Sequence, residues 1–169
     1  TLDRVAEDFF LGHTPDYQWG RVFGGQVVAQ ALRAAAATVT QPHVVHSLHA
    51  YFVLGGQPKQ PILYEVDRLR EGRSFTTRRV VARQSSGAIL NLDASFQRLE
   101  VDVDIQESAG SIDAPLPDAL PAGEWSLFGD AREIPNEPGV ARSRVWMRIQ
   151  DDLGDDPVLH ACGLAYLSD

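Results

Sequence analysis

The stretch that decides the fold is RVFGGQVVAQALRAAAATVTQPH, residues 21–43. Val28, Leu32, Ala35 and Val39 recur at the spacing of one helical face, with Gln30 and Arg33 opposite. Alanine and leucine are strong helix formers. Gly24 and Gly25 precede the run and Pro42 lies just beyond it, so the punctuation fits a helix as well. The pattern predicts a single long amphipathic helix.

Reading on from the helix, the period changes from helical to alternating. HSLHAYFVL (46–54) puts His46, Leu48, Ala50, Phe52 and Leu54 on one face. PILYEVDRLR (61–70) and SFTTRRVVARQ (74–84) are joined by EGR (71–73), which reads as a hairpin. AILNLDASFQ (88–97) alternates most cleanly: Ala88, Leu90, Leu92, Ala94 and Phe96 face one way, and Asn91, Asp93, Ser95 and Gln97 the other. One long helix followed by consecutive antiparallel strands predicts an α+β domain whose sheet curls around the helix. Before the helix come the apolar EDFFLG (7–12) and a loop with His13, Pro15 and Trp19.

Residues 98–125 are acidic and rich in Pro, Gly and Ala, as suits a linker. SLFGDAREI (126–134) and SRVWMRIQ (143–150) then read as strands. DDPVLHACGLAYLSD (155–169) reads as a second helix, with Asp156 as its cap and Pro157 at its first position. Leu159, Leu164 and Leu167 make this helix apolar on most sides, which predicts burial on most sides. The expected division is a first domain over 1–98, a linker over 99–125, and the opening of a second, similar domain over 126–169. The apolar second helix with no strands after it leads us to expect that the protein continues past Asp169 rather than being a genuine fragment.

A net charge of −8 over 169 residues argues against a nucleic-acid-binding surface. A single cysteine, Cys162, excludes an internal disulfide framework. No signal peptide and no apolar run of membrane-spanning length is present, so a cytoplasmic protein is expected. There is no G-x-S-x-G elbow, no Walker loop and no zinc-type Cys/His spacing. Cys162 and His160, two apart on a helix, point to different sides; Cys162 reads as a small core residue. His46 and His49, three apart on a strand, should face opposite ways, with His46 on the apolar face as either a hydrogen-bonded core residue or a catalyst.

Two features have open readings. Gly24 and Gly25 at a helix start suit either an oxyanion held by free N–H groups or a tight turn of positive φ. Continuing the second helix to its last residue puts Asp169 on the side of Val158, Ala161, Cys162 and Ala165. It is there either as a solvent-frayed end or as a catalytic carboxylate.

Several long blocks, in this order and spacing, carry a family resemblance: RVFGGQVVAQAL (21–32), VHSLHAYFVLGG (45–56), YEVDRLREGRSFTTRRVVARQ (64–84) and LDASFQ (92–97). They closely resemble the N-terminal half of type II acyl-CoA thioesterases, which are double hot-dog proteins. SRVWMRI (143–149) followed by residues 155–169 resembles the opening of that family's second hot dog. The resemblance implies a hot-dog fold and hydrolysis of an acyl-CoA to a free acid and coenzyme A, with no cofactor and no metal.

It also implies that Asp169, in the family's YxSD position, helps activate the attacking water. In the family a hydroxyl residue and a glutamine from later strands of the second hot dog join this carboxylate, and those positions are not in this sequence. Gly24, Gly25, Gln26 and His46 are the implied thioester and acyl neighbours. Arg73, Ser74 and Phe75 are the implied contacts for coenzyme A. The implied partner is an acyl-CoA. The open edges of a hot-dog sheet lead us to expect association between copies of the chain. Two other readings are a non-catalytic acyl-CoA-binding or assembly module of hot-dog shape and a hot-dog enoyl-CoA hydratase.

Overall fold

The helix foreseen in the glycine-led stretch is α1, Gly24–Ala36. In the computed structural model the described residues are 1–17, 20–40, 42–101, 103, 105, 114–124, 128–136, 139 and 141–169. They fall into two units, Thr1–Glu100 with Leu153–Asp169, and Val101–Asp152. Trp19, Trp125, Ser126, Leu127 and much of the expected linker lie outside the described residues.

In the first unit α1 lies against a six-stranded antiparallel sheet. Its strands are β1 (Leu2–Ala6), β2 (Phe9–Gly12), β3 (His43–Phe52), β4 (Ile62–Glu71), β5 (Phe75–Gln84) and β6 (Gly87–Arg98). They are ordered β1-β2-β4-β5-β6-β3. The β1–β2 hairpin turns at Glu7–Asp8, a turn the apolar EDFFLG run did not announce. The sheet curls over the helix, as the hot-dog resemblance implied. The alternation in β6 is borne out: Leu90, Leu92, Ala94 and Phe96 are all buried against α1.

Helix α1 is buried further round than its amphipathic pattern suggested. Besides Val28, Leu32 and Ala35, the small residues Gly25, Ala31 and Ala34 are covered. Gln30, expected on the polar side, accepts from the buried Tyr64 hydroxyl at 2.8 Å. Val39 lies past the end of the helix, where the Thr38 hydroxyl donates to the Ala35 carbonyl at 2.8 Å.

The second helix, α2 (Pro157–Leu167), packs against α1. Its predicted start is borne out, since the Asp156 carboxylate accepts from the Val158 N–H at 2.9 Å and Pro157 opens the first turn. Only Cys162, Ala165 and Tyr166 are buried, while Leu164 is 71% exposed. The expectation of burial on most sides is therefore corrected: among the described residues α2 is covered on the side that meets α1.

Strand β3 also departs from its reading. Leu48, Phe52 and Leu54 keep large exposed surfaces, because β3 is the end strand of the sheet. Its register against β6 shifts between Val45, opposite Phe96, and Ser47, opposite Ser95. His46 is the extra residue of that bulge.

The second unit carries a three-stranded antiparallel sheet, β7 (Gly123–Glu124), β8 (Gly129–Glu133) and β9 (Val145–Ile149). Arg132 on β8 fastens the 3-10 turn Pro117–Ala119 by donating to the carbonyls of Pro117 and Leu120 at 2.9 and 3.1 Å. Trp146 on β9 donates its indole N–H to the Pro115 carbonyl at 3.0 Å. No helix among the described residues is long and apolar enough to cross a membrane.

Candidate active site

The N-terminus of α1 needs a partner for its free N–H groups. Phe23 occupies the capping position, and its side chain offers no acceptor. The cap comes instead from the far end of the sequence: the Gly25 N–H donates to Asp169 Oδ2 at 3.0 Å. The positive end of the helix dipole faces this carboxylate. Its other oxygen, Oδ1, lies on the Gly24 side of the junction, 3.0 Å from where a Cβ on Gly24 would stand.

The glycine pair is explained by this approach. Neither Gly24 nor Gly25 has a positive φ, so the tight-turn reading is overturned. A Cβ on Gly24 would lie 2.7 Å from Asp169 Oδ2 and 2.8 Å from a ring carbon of Phe52. A Cβ on Gly25 would lie 2.2 Å from the Tyr166 carbonyl oxygen. Two glycines are what let the end of α2 and its carboxylate reach the start of α1. The oxyanion reading is modified in the same way, since the Gly25 N–H is already held by Asp169.

An aromatic trio braces this junction. Phe23 and Tyr166 meet edge-on with ring centroids 4.8 Å apart, and Tyr17 meets Phe23 at 6.2 Å. The hydroxyls of Tyr17 and Tyr166 are 3.5 Å apart, and burial, with help from Tyr166, pushes the Tyr17 hydroxyl well above its ordinary range. Beside Gly24 a hollow of about 330 Å³ opens, walled by Val22, Val27, Phe52, Leu54 and Ile89, with Arg21 on its lining. Tyr17, Tyr166 and Phe52 were not singled out in the sequence; each is an ordinary aromatic whose partners are remote in the chain.

The other residues singled out in the sequence fall elsewhere. Asp169 lies just past Ser168, the cap of α2, on the side where Cys162 and Ala165 meet α1, since its carboxylate reaches Gly25. Gln26 is buried and turned toward the loop after β2: its amide nitrogen donates to Thr14 Oγ1 at 3.3 Å and to Gln30 Oε1 at 3.2 Å. Its side-chain carbonyl oxygen has no partner among the described residues.

His46 is exposed rather than a core histidine. Its Nε2 pairs with Ser95 Oγ at 2.9 Å, and its ring meets Phe75 edge-on at 5.8 Å. Ser95 alternates with the buried Ala94 and Phe96, so the bulge has carried His46 to the outer face of the sheet. His49, opposite Asp93, shares that face, which corrects the expectation that the two histidines point opposite ways.

Arg73 and Ser74 form the β4–β5 turn with Gly72, and Phe75 opens β5. The structure thus brings Gly24 and Gly25 to Asp169, and separately His46 to Phe75. Cys162 is buried as foreseen, and that burial pushes its thiol up to about 11, leaving little thiolate for chemistry near neutral pH.

Residues 13–97 match the family of acyl-CoA thioesterase N-terminal domains. The chain belongs to that family. Acyl-coenzyme A thioesterase 8 of Rattus norvegicus is 34% identical over an alignment covering 99% of this chain and 62% of that protein. The crystal structure of an acyl-CoA thioesterase II, TesB2 from Mycobacterium marinum, superposes with a TM-score of 0.83 at 38% identity, over 99% of this chain and 64% of that one. A protein of hot-dog fold from Alicyclobacillus acidocaldarius has a TM-score of 0.77 at 19% identity, over 99% of this chain and 65% of that one, a likeness of fold alone. This thioesterase-family chain therefore has a hot-dog fold and spans about 62% of the length of the curated relative from Rattus norvegicus.

Proposed function

We propose that the protein carrying this chain hydrolyses acyl-CoA thioesters to a free fatty acid and coenzyme A. Asp169 accepts a proton from water as the water oxygen attacks the thioester carbonyl carbon. The tetrahedral intermediate then collapses, the carbon–sulfur bond breaks, and the departing sulfur takes the proton back. A thioester is reactive enough for direct attack, so no covalent nucleophile is required. A general base of this kind contributes about 10²–10⁴-fold.

The observation that carries this reading is the Asp169 carboxylate held at 3.0 Å by the Gly25 N–H at the start of α1, beside an apolar hollow. Gly24 and Gly25 admit the carboxylate, and Gln26, one residue on, is the neighbour with an unused carbonyl oxygen. We assign Arg73, Ser74 and Phe75 to coenzyme A, and His46, beside Phe75, joins them rather than the thioester.

The same reading gives 1–98 as a first hot dog, 99–125 as a linker and 126–169 as the opening of a second. Its support is the order of elements, since a two-stranded hairpin followed by a helix occurs as β1-β2-α1 and again as β8-β9-α2. The remaining partners of Asp169 would come from that second hot dog. Association of copies through the open sheet edges, a cytoplasmic location and a place in fatty acid metabolism belong to the same proposal.

The test is Asp169→Asn in the full-length protein, assayed with a series of acyl-CoA esters for release of free thiol. A loss of at least about 10²-fold in kcat with the fold intact is expected. Unchanged hydrolysis would remove Asp169 from the mechanism. Saturable acyl-CoA binding by the parent without thiol release would favour a binding module instead, and a 3-hydroxyacyl product would favour a hydratase.

A further inference from the structure

Arg78 has no exposed surface, yet it is a cation in the interior of the first unit. Its guanidinium is fully engaged. Nε donates to Thr38 Oγ1 at 2.7 Å, and Nη1 to the carbonyls of Arg70 and Thr77, both at 3.1 Å. Nη2 donates to the Thr38 carbonyl at 3.0 Å and to the Glu71 carboxylate. These contacts tie the end of α1 to both stems of the β4–β5 hairpin, close to the register shift between Asp67 and Arg70.

The turn that this fork clamps is tightly shaped. A Cβ on Gly72 would lie 2.6 Å from the Phe75 carbonyl oxygen, and the Arg98 N–H donates to the Ser74 carbonyl at 3.0 Å. Beyond the clamp the turn presents an exposed Arg73, which has no ion-pair partner among the described residues, and Phe75, which is 43% exposed. A free guanidinium beside an open aromatic ring is suited to a phosphate and a base. The 13 residues of α1 rise about 20 Å, so the turn lies roughly that far from the Asp169 end. An extended pantetheine arm and diphosphate bridge such a separation.

We propose that Arg78 is a positioning residue for the nucleotide end of coenzyme A, holding the 71–75 turn in the shape that presents Arg73 and Phe75. This rests on the reading of that turn as a coenzyme A contact. Arg78 touches no substrate; it acts through the turn. Lysine at this position keeps a charge and loses the planar fork that reaches three segments at once.

The test uses the full-length protein with two probes: coenzyme A itself, by calorimetry, and a pair of thioesters with the same acyl group. One of the pair is an acyl-CoA and the other an acyl-N-acetylcysteamine, which lacks the nucleotide. Arg78→Lys and the milder Thr38→Val, which removes the Nε acceptor along with the hydroxyl's own bond to the Ala35 carbonyl, are compared with Arg73→Ala, all first shown to be folded by circular dichroism. The expected result is coenzyme A affinity weakened about tenfold in Arg78→Lys and severalfold in Thr38→Val. KM rises for the acyl-CoA, and kinetics with the truncated thioester stay within about twofold of the parent.

Unchanged coenzyme A affinity in folded Arg78→Lys and Thr38→Val would overturn the proposal, as would an equal loss with both thioesters, the mark of a purely structural role. Unchanged affinity in Arg73→Ala would overturn it through the turn itself. A parent that binds coenzyme A yet hydrolyses neither thioester would refute the hydrolase reading alone, because the affinities still decide the role of Arg78.

Discussion

Replacing Gly25 by alanine adds one methyl group where two pieces of backbone nearly touch. The new Cβ would sit 2.2 Å from the Tyr166 carbonyl oxygen, against the 3.4 Å at which ordinary contact begins, so the helix ends must part by about 1.2 Å. Neither side gives easily, since the obstacle is main chain and Tyr166 is wedged between Phe23 and Tyr17. Overpacking of this kind costs about 1–3 kcal/mol. The same movement stretches the Gly25–Asp169 hydrogen bond beyond useful range, which adds about 1 kcal/mol, the ordinary worth of a helix cap. Against this stands the better helix propensity of alanine, less than about 1 kcal/mol. The net expectation is a loss of about 1–4 kcal/mol, centred near 2–3 kcal/mol, or roughly 10 °C in Tm for a unit of this size. Thermal unfolding followed by circular dichroism measures it, with Gly55→Ala as the control, because a Cβ at Gly55 meets nothing within 4 Å. A Gly25→Ala protein as stable as that control would refute the close approach of the two helix ends, and with it the cap.

Further outcomes follow from single residues of the core. Leu92→Ala, at a site with no exposed surface, should cost about 2–5 kcal/mol in denaturant unfolding, with the m-value unchanged. Tyr64→Phe deletes a hydroxyl that donates to Gln30 Oε1 at 2.8 Å and should cost about 1 kcal/mol by the same measurement. The buried Cys162 thiol, raised from 9.0 to about 11, should react slowly with iodoacetamide at pH 8. The sign for stability follows. Below pH 9 both folded and unfolded thiols are protonated and nothing is lost. Between pH 9 and 11 only the unfolded thiol ionises, so stability falls by up to about 2–3 kcal/mol, and Cys162→Ala should flatten that slope.

What was legible in the sequence was whatever depends on neighbours along the chain. The period of β6, the EGR hairpin, the Asp156–Pro157 helix start and the face of α1 through Val28, Leu32 and Ala35 are local patterns, and the structure keeps them. Two of the failures share one cause, the action of a remote segment. Gln30 looked solvent-facing, yet its side-chain oxygen is taken up by the hydroxyl of Tyr64, 34 residues away. His46 followed the alternation of its strand on paper, but the pairing with β6 inserts a bulge there and turns the ring out toward Ser95 and Phe75. Alternation cannot reveal a bulge, because one extra residue reverses the face of everything on one side of it.

The candidate site lies at that limit as well. Asp169 and Gly25 are 144 residues apart, and neither carries a local signal for the other. Read singly, a glycine pair before a helix and a carboxylate after one each have an ordinary explanation. Their joint meaning comes from antiparallel packing of α1 on α2, which brings the start of one helix to the end of the other. Once that packing exists, the missing cap at Phe23, the absence of Cβ atoms at 24 and 25, and the position of Asp169 just past α2 become one arrangement: a carboxylate anchored on one oxygen at the start of α1. An acid placed this way is anchored on one oxygen by a backbone N–H that only the glycine pair lets it reach. That makes the glycines as much a part of the proposed chemistry as the carboxylate they admit.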